Sequence, residues 1–187
     1  PEGQCRVMLP MVTSSDEIRA VRALLDEEQA SLGLATGCPL GIMIETPAAA
    51  LSAGSLAADA DFLSIGTNDL TQYTLAMDRG HAQLAERLDA LHPAVLQLIA
   101  ATVAGARKHK RKVSVCGGLA SDPAAAPILI GLGVEGLSAV PAVIAQLKSL
   151  IRTLRTDQCR ALATQALEQG SAAAVRSLTA SIVKAAS

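Results

Sequence analysis

The sequence predicts an α/β fold, five successive strand-and-helix units arranged around a parallel sheet. Three observations carry that expectation. Five short aliphatic or β-branched runs recur along the chain, each is nearly continuously apolar rather than alternating, and each is followed by a stretch with helical spacing. Continuous apolar runs mark strands buried on both faces, which is the situation of a parallel sheet flanked by helices. At 187 residues the chain can bury one substantial core, or two small ones.

The first run is CRVMLPMV (5–12). SSDEIRAVRALLDEEQASLG follows, with Ser14 or Ser15 as cap, acids in the first turn, an apolar stripe of Ile18, Val21, Leu24 and Leu25, and Gly33 as stop. The second run is LGIMIETP (40–47), leading into a helix that opens on Thr46 and Pro47, a cap followed by proline at the first helical position. The third run, DFLSIGTND (61–69), is apolar until Gly66 and then abruptly polar. After a short helical turn, His92 and Pro93 open a further helix with an apolar face of Val95, Leu96, Ile99 and Val103. The fourth and fifth runs are KVSVCGGLA (112–120) and GLSAV (136–140), each with a helical pattern behind it. Residues 157–187 read as one or two alanine-rich helices broken near Gly170 and Ser171, without chemistry of their own.

Composition excludes several classes. The formal charge is −1, so no global field recruits nucleic acid or an anionic membrane. With one Phe, one Tyr and no Trp there is no base-stacking platform. The one basic run, RKHKRK (107–112), reads as a solvated helix end with cations near the negative end of the helix dipole; nucleic-acid contact is the alternative. Cys5, Cys38, Cys116 and Cys159 are scattered without a C-x-x-C pair, which argues against a zinc site and fits a reducing, cytoplasmic setting. No leader pattern and no apolar run of membrane-spanning length is present, and an opening at PEGQC without Met suggests a piece of something longer.

Repeated βα units leave two architectures, an open doubly wound sheet or a closed barrel, and both place functional groups at the C-terminal ends of the strands. Glu45 ends the second run, Asn68 and Asp69 the third, and Cys116, Gly117 and Gly118 the fourth. Two carboxylates from different strands, Glu45 and Asp69, can share a hard cation, for which magnesium is best suited because it fills its shell with water and substrate phosphate. Capping of the following helices is the competing reading. Gly66 and Thr67 let backbone N–H groups approach an anion closely. Arg79 can fork onto a phosphate, or simply pair with Asp78 or Glu86 at the surface. Cys116 is either an inert buried thiol, a nucleophile, or, protonated near an ordinary pKa of about 8.5, a general acid. No histidine lies nearby in sequence to activate it, which favours the acid over the nucleophile.

GIMIETPAAAL, DFLSIGTNDLTQYTLAMDRG and VSVCGGLASDP together resemble the C-terminal phosphoenolpyruvate-binding domain of Enzyme I, the phosphoenolpyruvate-protein phosphotransferase of the bacterial sugar phosphotransferase system. CGGLA, with Gly118 where many Enzyme I proteins carry Glu, resembles the fused fructose-specific multiphosphoryl transfer proteins within that family. The resemblance runs in order to about Leu154. It implies part of a (β/α)8 TIM-type barrel, units four to eight, filling 1–156, with 157–187 as helices of the same domain. It implies Mg2+ held by Glu45 and Asp69, phosphoenolpyruvate contacted by Gly66, Thr67, Asn68 and Arg79, and Cys116 protonating the enolate to release pyruvate. The phosphoryl group would pass to a histidine on a separate domain and then to the carrier HPr, and a homo-oligomer is expected. A related dikinase or synthase, or a purely structural module, are the alternatives.

Overall fold

The computed structural model describes residues 4–34 and 37–186. Its elements are β1 (Val7–Leu9), α1 (Ser15–Ser31), β2 (Leu40–Ile44), α2 (Pro47–Leu51), α3 (Ala53–Asp59), β3 (Phe62–Gly66), α4 (Thr67–Leu75), α5 (Ala82–Ala85), α6 (Pro93–Arg107), β4 (Lys112–Cys116), a 3-10 turn (Gly118–Ser121), α7 (Ala126–Leu132), β5 (Gly136–Leu137), α8 (Pro141–Thr153), α9 (Thr156–Leu167) and α10 (Ala172–Ala186). The five strands form one parallel sheet in the order β1-β2-β3-β4-β5. Each strand thus pairs with its neighbour in the chain, and among the described residues the order never reverses as it does in a doubly wound sheet.

A parallel connection is almost always right-handed, so crossovers that all advance in one direction put their helices on one face. Burial follows that rule. Leu40, Ile42 and Ile44 of β2, Leu63 and Ile65 of β3, and Val113 and Val115 of β4 are all buried and pack with Ile18, Leu56, Val95, Leu96, Ile99 and Val103 from the helices. Each such side chain stabilises the fold by about 1.5–3 kcal/mol relative to exposure. The alternate residues point to the other face and most are less covered: Met8 is 39% exposed, and Met43, Phe62, Ser114 and Cys116 are only half-buried, although Ser64 is buried.

Small residues let the helices approach closely. A Cβ on Gly131 of α7 would collide with the Cys159 carbonyl of α9, and one on Gly105 of α6 would stand 2.6 Å from the backbone nitrogen of Gly54 in α3. This is the packing use of a composition rich in alanine and glycine.

The anticipated caps form. Thr46 Oγ1 accepts the Ala49 N–H at 3.1 Å, His92 Nδ1 accepts that of Ala94 at 3.2 Å, and the Glu17 carboxylate accepts the N–H groups of Thr13 and Ser14. The basic run does end a helix, α6, and turns through Lys110 (φ 56°) into β4. The C-terminal break falls between α9 and α10 as expected; Ser187 lies outside the described residues. Two differences stand out. The strands are shorter than the apolar runs, because residues such as Glu45 and Gly117 already belong to the rim. The helix after β2 is split at Ser52, whose carbonyl accepts the N–H groups of Ser55 and Leu56 and so starts α3.

Candidate active site

The site is built at the C-terminal ends of β2, β3 and β4. β3 ends at Gly66, and α4 starts directly at Thr67, so Asn68 and Asp69 occupy the first turn of a helix rather than the end of the strand. Carboxylate and amide groups suit that position, where backbone N–H groups are unpaired and the helix dipole is positive.

Glu45, one residue beyond β2, is 7% exposed, and its Oε2 accepts the N–H of Met11 at 2.8 Å. Met11 turns that N–H toward it by adopting a positive φ of 54°. The Glu45 side chain lies directly over Gly66: a Cβ there would be 2.7 Å from Cγ and 2.8 Å from Oε1. Gly66 in turn stands beside Cys116 in the register of β3 and β4.

The Cys116 loop is pinned to the start of α4. Thr67 Oγ1 donates to the Cys116 carbonyl at 2.7 Å, and the Gly118 N–H donates to Asn68 Oδ1 at 2.9 Å. Gly117 makes both bonds possible: its φ is +84°, and a Cβ would stand 2.7 Å from Thr67 Oγ1 and 2.9 Å from Asn68 Oδ1. The Cys116 thiol donates toward the Ile65 carbonyl at 3.5 Å and accepts from Ser64 Oγ at 3.7 Å, contacts that give the side chain a defined direction.

Arg79 returns to the same turn. The chain leaves α4 through Ala76 in the left-handed conformation, Arg79 N donates to Gln72 Oε1, and Arg79 Nη2 reaches Asp69 Oδ1 at 3.1 Å. Its partner is therefore Asp69 rather than Asp78 or Glu86. The seven residues singled out in the sequence form one linked set, from Glu45 over Gly66 to Cys116 and from Thr67 through Asn68 to Asp69 and Arg79.

Beside this set opens a cavity of about 320 Å3, lined by Thr67, Asn68, Arg79 and Gly118 on one side and by Asp89, Asp122 and Arg176 on the other. Glu45, Asp69 and Cys116 are not among its lining residues. Asp89 and Arg176 had no motif to mark them, and Asp122, within VSVCGGLASDP, was given no role. An isolated arginine in an alanine-rich helix gives no sequence signal of a partner 87 residues away.

As a cation site, Glu45 and Asp69 offer hard oxygen donors, with Glu45 Oε1 left over after Oε2 has taken the Met11 N–H. Among the described residues no group of three or more His, Cys, Asp or Glu is gathered. A cation held by these two carboxylates alone would need most of its ligands from water and other groups, a coordination that magnesium accepts.

A family model described as PEP-utilising enzyme, PEP-binding domain, matches residues 1–156. The chain belongs to this family. The chain shares 51% identity over 174 residues with a multiphosphoryl transfer protein of Xanthomonas campestris, covering 93% of the chain and 21% of that protein. It shares 37% over 181 residues with a phosphoenolpyruvate-protein phosphotransferase of Haemophilus influenzae, covering 94% of the chain and 32% of that protein. The chain thus spans about a fifth to a third of the length of these relatives. Among solved structures, a citrate lyase from Burkholderia xenovorans superposes with a TM-score of 0.60 at 16% identity, over 97% of the chain and 63% of the lyase chain, a likeness of fold alone.

Proposed function

We propose that this chain is the phosphoenolpyruvate-binding part of a phosphoenolpyruvate-protein phosphotransferase of the multiphosphoryl transfer type, acting in the cytoplasm as a piece of a longer, oligomeric protein. The observation that carries the reading is the convergence of Glu45, Asn68, Asp69, Arg79 and Cys116, from three strands, on one rim. Sequential parallel strands with helices on one face support units four to eight of a (β/α)8 barrel, whose remaining units would cover the open face carrying Met8 and Phe62. Among the described residues no helix is long and apolar enough to cross a membrane.

Glu45 and Asp69 would hold Mg2+, which when bound neutralises phosphate charge and orients the transferred group. Asn68 and the N–H groups after Gly66 contact the substrate's phosphate. Arg79, released from Asp69, forks onto the phosphoryl oxygens and offsets the charge that develops in transfer. The phosphoryl group leaves for a histidine on a separate domain, and from there HPr. The P–O bond breaks toward the enolate oxygen, and Cys116 then gives its thiol proton to the methylene carbon, leaving pyruvate and a thiolate. The thiol is directed by Ser64 and Ile65, as a proton donor must be.

The test is calorimetric titration with phosphoenolpyruvate, with and without magnesium, on the wild type and Glu45→Ala. Binding that requires both metal and Glu45 supports the reading. Equal binding by wild type and variant, or none by a folded chain, overturns it for this chain and leaves a structural module. The Asp69–Arg79 pair, which already neutralises the two groups against each other, is the feature that favours that second reading.

A further inference from the structure

Arg176 lines the cavity beside the site, and all three of its guanidinium nitrogens donate to carboxylates. Nε and Nη2 donate to the two oxygens of Asp89 at 2.6 and 2.9 Å, while Nη1 donates to Asp122 Oδ2 at 2.8 Å. Each carboxylate is also anchored to its own loop: Asp89 Oδ1 accepts the Leu91 N–H at 2.9 Å, and Asp122 Oδ1 that of Ala124 at 2.9 Å. The hydrogen bond to Asp89, joined by that to Asp122, holds the guanidinium firmly protonated. Burial pushes the Asp89 carboxyl up, but the Arg176 hydrogen bond and the Leu91 N–H outweigh it and hold the group below the usual carboxylate range. A planar guanidinium with a fixed fork is the side chain that can join two carboxylates in this way; a lysine is a point charge without that geometry.

The two carboxylates belong to different parts of the site. Asp89 precedes α6 and its His92 cap. Asp122 directly follows the 3-10 turn that begins at Gly118, the residue whose N–H holds Asn68. From Arg176 a continuous path therefore runs through Asp122 and one short helical turn to Gly118, Asn68 and the Cys116 carbonyl held by Thr67.

We infer that Arg176 is a positioning residue of the C-terminal helix: by clamping Asp122 to Asp89 it holds the Gly117–Gly118 turn against Asn68 and fixes where the Cys116 thiol sits. The inference deepens the proposed function and rests on it for the role of Cys116. It makes α10 part of the site, because Arg176 lines the same cavity as Thr67, Asn68 and Arg79.

The test is native thiol labelling with a small maleimide, resolved by peptide mass, on the wild type, Arg176→Ala, Arg176→Lys and Asp122→Asn. Cys159, buried on α9, reports in the same sample whether the C-terminal helices remain docked. The expected result is Cys116 labelling accelerated about fivefold in Arg176→Ala and Asp122→Asn, as for a local opening, with Cys159 unchanged and Arg176→Lys intermediate. An unchanged Cys116 rate overturns the inference. So does a parallel rise at Cys159, which means that the tail has simply detached. Should Arg176→Ala fail to fold, Asp122→Asn decides by the same two rates. Phosphoenolpyruvate titration of the same wild-type sample separates the two claims, since absent binding sinks the proposed function while the thiol rates still report on the clamp.

Discussion

Replacing Gly66 by alanine adds one methyl group at the point where Glu45 crosses β3. The backbone accepts the change, because φ at Gly66 is −83°. The space does not: the new Cβ would stand 2.7 Å from Glu45 Cγ, 2.8 Å from Oε1 and 3.0 Å from Met43 Sδ. Two responses are open. If Glu45 stays, the overlap is an overpacked core contact and costs about 1–3 kcal/mol. If it swings away, it loses the Met11 N–H, a hydrogen bond to a charged group worth about 1.5–3 kcal/mol. The molecule takes the cheaper route, so the two figures are alternatives and the expected loss is about 1–3 kcal/mol. For a chain of this size each kcal/mol moves Tm by about 2–4 °C. Urea denaturation with an unchanged slope measures the loss, and calorimetry with phosphoenolpyruvate and magnesium measures the displaced carboxylate, expected as weakened or absent binding. A variant with wild-type stability and wild-type binding would refute the claim that Glu45 is held over Gly66.

Three further outcomes are expected. Gly131→Ala destabilises more than Gly66→Ala, since its Cβ meets the backbone carbonyl of Cys159 rather than a movable side chain, and comparative urea midpoints test the order. Thr67→Val keeps the shape of a fully buried residue but leaves the Cys116 carbonyl without its donor, for a loss of about 1–3 kcal/mol seen in the same denaturation assay. Asp89 has a folded-state carboxyl pKa below its unfolded value of about 3.9. Its contribution is therefore present above that unfolded value and lost as pH falls through the lowered one, so Tm declines below about pH 4. In Asp89→Asn the acid decline is shallower, though not abolished, because Asp61 is lowered as well by Leu40 N–H and Arg22 despite its burial. Circular-dichroism melting from pH 7 to 2 reads both curves.

What the sequence revealed follows from the range of each interaction. Caps such as Thr46 and His92 act on residues two or three positions away, so they could be read directly. The rim residues were legible because a parallel βα unit delivers the end of every strand to one side, whatever the sheet's final closure. Helix boundaries within polar segments were less so: nothing local distinguishes Asn68 and Asp69 extending β3 from the same pair opening α4, and the Gly118 N–H that holds Asn68 Oδ1 lies 50 residues along the chain. The split at Ser52 was hidden by an alanine-rich stretch with uniform helix propensity. Arg79 offered several acidic partners nearby, and its choice of Asp69 depends on the left-handed turn at Ala76, a residue type that rarely adopts it. Arg176 was invisible because both its partners are more than fifty residues away.

The strictly sequential strand order also sets how the molecule comes together. Each sheet pairing joins consecutive βα units, from Val7 with Leu40 to Ser114 with Gly136, so the sheet can grow one unit at a time as the chain emerges during synthesis. The Arg176 clamp is the exception, reaching back across 87 residues to Asp89. It forms only after α10 has been made and docked. The sheet and its rim can thus assemble early, while the Gly117–Gly118 turn acquires its final brace last, and a chain interrupted before α10 would carry every residue of the rim without that brace.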